Sequence, residues 1–122
     1  MTGRILVIGA SENPERYSNK AIRMLRRYNY EVVALGNRAG QVDDVPIETE
    51  KILFSSIDTV TLYVGPQNQE ELFQYVSKLR PRRVIFNPGT ENPDFYLFLE
   101  QLGVEVVEAC TLVLLSTGQF EL

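Results

Sequence analysis

Arg4-Ile5-Leu6-Val7-Ile8-Gly9-Ala10-Ser11 is the stretch that decides the fold. A continuous apolar run of this length, stopped by a glycine, predicts a strand over Arg4–Ile8 buried on both faces, as in a parallel sheet. Beyond the following loop, Ser18 is placed to cap a helix over about 19–28. Projected at 100° per residue, Ala21, Ile22, Met24, Leu25 and Tyr28 share one side of it, and Lys20, Arg23, Arg26 and Arg27 the other. The Val-rich run Glu31–Leu35 predicts a second strand, and residues 41–47 a small hairpin with Asp43-Asp44 near its turn.

Farther along, Thr59–Val64 predicts a third strand. Asn68, with Glu71 three residues later, resembles a capping box opening a helix to about Leu79, with Leu72, Tyr75, Val76 and Leu79 on one face. Arg83–Phe86 follows as the fourth strand. Asn92-Pro93 then reads as a cap with proline in the first helical position, Phe95, Phe98, Leu99 and Leu102 as one face, and Gly103 as the stop. Val104–Val107 is the fifth strand, and residues 112–115 suggest a short helix before Gly118. This alternation predicts an α/β fold: a Rossmann-like, doubly wound parallel sheet of about five strands, order 3-2-1-4-5, with helices on both faces. The segment between strands two and three crosses the sheet.

One hundred and twenty-two residues, 44% hydrophobic and 23% charged, make a single domain spanning 1–122 with one core. No apolar run approaches the roughly 20 residues that cross a bilayer, and the start offers no secretory signal. A lone cysteine, Cys110, suits a reducing compartment, so a cytoplasmic protein is expected. The absence of histidine excludes Ser-His-Asp and Cys-His catalysis and His-ligated zinc, and no metal site is expected. Residues 1–38 carry a net +4 and residues 39–122 a net −8. Nucleic acid is thereby a poor partner for the whole domain, whereas a small anion is drawn to the first third. The helix-borne arginines read first as a solvated face.

Ligands of such sheets bind beyond the carboxyl ends of the strands. Glycine or proline punctuates four of those ends: Gly9-Ala10-Ser11-Glu12, Gly36-Asn37-Arg38, Gly65-Pro66 and Asn87-Pro88-Gly89. Turns need these residues anyway, but four on one edge point to a nucleotide site. A dinucleotide fingerprint requires two more glycines after Gly9 and an acid after strand two, where Arg38 stands instead. That argues against NAD and fits a phosphorylated ribose, as in NADP or coenzyme A.

The sequence resembles the small stand-alone CoA-binding domain proteins, Rossmann-like and similar to the CoA-binding domain of succinyl-CoA synthetase alpha subunits. The resemblance rests on Gly9-Ala10-Ser11 with Asn13-Pro14-x-Arg16-Tyr17-Ser18, Tyr30-Glu31-Val32-Val33, Ile57-Asp58-Thr59-Val60, residues 86–92 and residues 106–110. It covers nearly the whole chain. The family commonly has Val-Asn-Pro after strand two, and Gly36-Asn37-Arg38 departs from that. By resemblance, Gly9, Ala10, Ser11 and Glu12 meet the CoA phosphates, and Arg38 lies near the adenosine phosphate. Val64, Gly65 and Pro66 lie along the nucleotide, and Asn87, Pro88 and Gly89 approach it from the other side. Arg16 and Ser18 belong to the first loop by motif; Arg16 reads as a second phosphate partner or as a surface pair of Glu12 or Glu15.

The ligand expected from the resemblance is coenzyme A or an acyl-CoA, held by a protein with no catalytic residue of its own. Two other readings stay open: a partner subunit of an acyl-CoA-processing enzyme, and an interaction module that has lost the ligand. The family's ligases depend on a phosphorylated histidine in another domain, so a ligase role here would need a partner chain. Leu97, opposite the apolar face of its helix, marks a candidate contact surface for a second copy or another protein.

Overall fold

The computed structural model describes residues 3–120. Strand β1 (Arg4–Ala10) lies at the centre of a seven-stranded sheet, between β2 (Val32–Gly36) and β5 (Ile57–Leu62). Outside β2 lies a hairpin, β3 (Gly40–Val42) and β4 (Val45–Glu48); outside β5 lie β6 (Arg83–Phe86) and β7 (Glu105–Glu108). The order is β3-β4-β2-β1-β5-β6-β7, and every pair is parallel except β3 with β4.

The expected five strands in order 3-2-1-4-5 are therefore corrected. The strand near residue 60 does not flank β2; it pairs with β1 in the register Leu6↔Val60. The hairpin supplies the reason. Asp43 takes a left-handed φ of 52°, which closes a two-residue turn and lays β4 along β2. With that flank of β2 occupied, residues 49–56 cross back to the free side of β1. Counting only the parallel strands, β4 becomes the third, and the order reads 3-2-1-4-5-6, that of the Rossmann fold.

Alternation along β1 divides the core. Leu6 and Ile8 pack with Val60, Leu62, Val84 and Phe86 under α2 (Leu72–Leu79) and α3 (Pro93–Gln101). Ile5 and Val7 pack with Ile22, Leu25 and Leu115 under α1 (Tyr17–Arg27) and α4 (Thr111–Ser116). Helices thus cover both faces. The apolar faces read for α2 and for most of α1 and α3 are buried, but Tyr28 and Leu102, where the chain leaves α1 and α3, are exposed. Two caps also differ from expectation. Ser18 lies inside α1, buried, and Arg16 holds the cap position. Asn68 ends a single 3-10 turn over Pro66–Asn68, and α2 starts four residues later. Asn92 is a true cap: its Oδ1 accepts from Phe95 N at 3.4 Å, with Pro93 in the first turn. No helix among the described residues is long and apolar enough to cross a membrane.

Candidate functional site

The Rossmann order changes direction between β1 and β5, and the carboxyl ends of those strands nearly touch. Gly9 sits at an irregularity of β1, at φ +94°, where a Cβ would lie 3.0 Å from the Tyr63 backbone carbonyl group. Only glycine combines that φ with that approach. At the end of β2, a Cβ on Gly36 would run into the Ala10 carbonyl oxygen, so this junction is equally tight.

The loop from Ser11 to Arg16 is held by its own side chains. Ser11 Oγ accepts from Asn13 N at 3.1 Å, and Asn13 Oδ1 accepts from Glu15 N at 3.0 Å. Asn19, buried in the first turn of α1, donates Nδ2 to Ser11 O at 2.9 Å. Arg23 in turn donates Nε to Asn19 Oδ1 at 2.7 Å and Nη2 to Pro14 O at 3.2 Å. The cationic side of α1 read in the sequence is therefore only partly a solvated face, since Arg23 ties the loop to the helix. No side chain caps α1, so its first N–H groups and dipole are directed toward this loop.

Glu12 reaches across to the hairpin, where its Oε2 accepts from Gln41 N at 2.8 Å. Its carboxylate fills the space that a side chain at Gly40 would need. Beside it, Asn37, Arg38 and Ala39 lead from β2 into β3. The side chains of Arg16 and Arg38 have no hydrogen-bond or ion-pair partner among the described residues.

A cavity of about 720 Å³ gathers these parts. Of the residues expected from the sequence, it is lined by Gly9, Ala10, Ser11, Glu12, Arg16, Arg38, Val64 and Gly65. Asn13, Asn37, Ala39, Tyr63 and Asn68 line it as well. Asn37 was within reach of the sequence, as the neighbour of Arg38 after a strand; Tyr63 was read as strand. Burial pushes the Tyr63 phenol up to about 12, and its Oη has no hydrogen-bond partner. A second cavity of about 650 Å³ adjoins the first along Gly9, Asn37, Val64 and Asn68. Its floor is Ile8, Leu35 and Leu72, and the Lys51–Glu71 ion pair (2.8 Å) stands among its walls.

Five expected residues line neither cavity: Ser18, Pro66, Asn87, Pro88 and Gly89. Asn87 is buried, and its amide is used inside the protein. Nδ2 donates to Thr61 Oγ1 (2.7 Å) and Leu62 O (2.9 Å), while Oδ1 accepts from Thr111 N (2.8 Å). Gly89, at φ +95°, faces open space and donates its N–H to Glu91 Oε1 at 2.9 Å. Cys110 precedes α4 on the same edge, half-buried, and lines neither cavity. No group of three or more acidic or cysteine side chains placed to hold a metal occurs among the described residues.

Known proteins share this chain's sequence pattern and fold. A family model described as "CoA binding domain" matches residues 3–116. A crystal structure of an uncharacterized protein superposes with a TM-score of 0.95 at 40% identity, covering 98% of this chain and 99% of that one. Cell-free ID.343 from Thermus thermophilus superposes at 0.84 with 22% identity over 97% and 91% of the two chains. The dinucleotide-forming acetyl-coenzyme A synthetase 1 of Ca. Korarchaeum cryptofilum, in complex with phosphate and ADP, shares the fold. It has a TM-score of 0.74 and 15% identity over 88% of this chain and 25% of that one. Among curated proteins no sequence matches.

Proposed function

The chain belongs to the CoA-binding domain family, and we propose that it binds coenzyme A or an acyl-CoA at the β1–β5 edge without catalysing a reaction of its own. The observation that carries this reading is a single cavity lined by two arginines, Arg38 after β2 and Arg16 at the end of the glycine-led β1 loop, together with that loop itself. An anion with more than one phosphate suits that arrangement. The β1 loop and the uncapped end of α1 offer N–H donors to a pyrophosphate, and Arg38 offers charge-assisted bonds to a ribose phosphate. The two adjoining cavities give room for a ligand longer than a mononucleotide.

The cavity's ionisable groups favour binding over chemistry. Tyr63 is held protonated by burial, and one Glu12 oxygen is engaged by the hairpin. A second reading, a partner subunit of an acyl-CoA-processing enzyme, draws on the match to one quarter of an acetyl-coenzyme A synthetase chain, a likeness of fold. Acyl-CoA turnover appearing only on addition of a partner chain would favour it.

Calorimetry tests the main reading. Wild type is expected to bind CoA about tenfold more tightly than dephospho-CoA, the size of one charge-assisted bond, and Arg38→Ala to erase most of the difference. Equal affinities in the wild type would refute the role of Arg38.

A further inference from the structure

Gln69 is fully buried directly after the 3-10 turn, and each polar end of its side chain is bonded. Nε2 donates to Val64 O and to Thr90 O, both at 2.8 Å, and Oε1 accepts from Asn92 Nδ2 at 3.0 Å. Val64 borders both cavities, Thr90 belongs to the turn after β6, and Asn92 caps α3. One amide thus joins two segments that are separate in sequence, residues 64–69 and residues 90–92. The sheet itself does not need these bonds. The β5–β6 ladder closes at Leu62↔Phe86, and Asn87 fastens the strand ends just beyond it. The bonds of Gln69 begin where the ladder stops, so what they hold is the pair of turns.

We propose that Gln69 is a positioning residue for the ligand site: it locks the β5 turn, the wall shared by both cavities, to the β6 turn. The two turns then move as one body, and the wall is formed before the ligand arrives. This rests on the CoA reading given above. It also gives the β6 turn a part in binding although Asn87, Pro88 and Gly89 line neither cavity. A wall that must be ordered at the moment of binding lowers affinity without the loss of any ligand contact.

The test uses the full chain with Gln69→Leu and Gln69→Glu, CoA calorimetry between about pH 5.5 and 8, and amide hydrogen exchange of the free proteins. Gln69→Leu is expected to weaken CoA binding about tenfold or more at every pH, since two carbonyls lose their donor. Gln69→Glu sets a carboxylate against those carbonyls, and burial raises its pKa. It is expected to bind poorly at pH 8 and to recover toward wild type, compared at equal pH, as the protonated carboxyl regains a donor. Exchange is expected to quicken together at residues 64–69 and 89–92, with β1, β5 and β6 still protected. The proposal is overturned if Gln69→Leu binds as wild type, if Gln69→Glu shows no recovery, or if exchange quickens in only one turn or across the whole sheet. Wild type that binds no CoA would sink the ligand reading alone; the exchange experiment then decides the lock, joint quickening supporting it and any other pattern overturning it.

Discussion

Gly9 shows how much a single position can carry. Its left-handed φ and its 3.0 Å approach to the Tyr63 backbone leave no room for a methyl group. Gly9→Ala is expected to cost about 1–3 kcal/mol in strain and to weaken CoA binding by pushing the β5 turn out of place. Urea denaturation and calorimetry check both, and wild-type values would contradict the close approach. Asp58 makes a different prediction. The Arg82 fork, at 3.0 Å to each carboxylate oxygen, and then the Thr59 hydroxyl hold its carboxyl below the ordinary 3.8. A depressed folded-state pKa contributes stability that is full above the unfolded value and is lost as pH falls through the folded one. The advantage of wild type over Asp58→Asn is therefore expected to shrink below about pH 4. An advantage unchanged from pH 6 to pH 2.5 would count against the pair. At this scale the turn at Gly9 was legible from residue type and loop position, and Arg16 and Arg38 were legible only as candidates. Tyr63, Asn19 and Gln69 were not, because their roles depend on what lies across from them.

At the scale of elements, local signals succeeded where the chain itself supplies the bond. Asn92-Pro93 states a cap within four residues, and the hairpin turn at Asp43-Asp44 is closed by its own backbone. The Asn68 capping box failed because the chain there satisfies its donors in a 3-10 turn and then buries Gln69. Ser18 failed as a cap because Asn19 and Arg23 bond the preceding loop to the helix, so α1 begins at Tyr17, two residues earlier than expected. Asn87 belongs here too, since it joins β5, β6 and the start of α4. Asn87→Leu would leave the Thr111 N–H and Leu62 O unpaired in the interior, an expected loss of about 2–5 kcal/mol. Denaturant titration checks this. Near-wild-type stability with CoA binding alone abolished would instead make Asn87 the direct ligand contact that the resemblance implies.

For the whole molecule, closure of the α1–α4 face depends on the end of the described chain. Phe120 is buried, meets Tyr30 edge-on with centroids 5.1 Å apart, and lies 4.5 Å from the buried Arg83 guanidinium. Arg83 also donates to Thr59 Oγ1 at 2.8 Å and to Phe120 O. Phe120→Ala is expected to cost about 3–5 kcal/mol, a core aromatic lost above a buried cation. A calorimetric melt close to wild type would show that this end does not close the core. By itself the sequence determined the alternation of strands and helices, the apolar face of α2, most of those of α1 and α3, and the glycine-led turns of one edge, because these follow from periodicity and backbone freedom within a few residues. Tertiary structure alone decided that the strand beginning at Ile57 flanks β1, because the hairpin had already taken the far side of β2. It alone also brought Arg16 and Arg38 to one cavity and left Asn87 and Gln69 to hold its surroundings, because such placements depend on contacts between segments far apart in the chain.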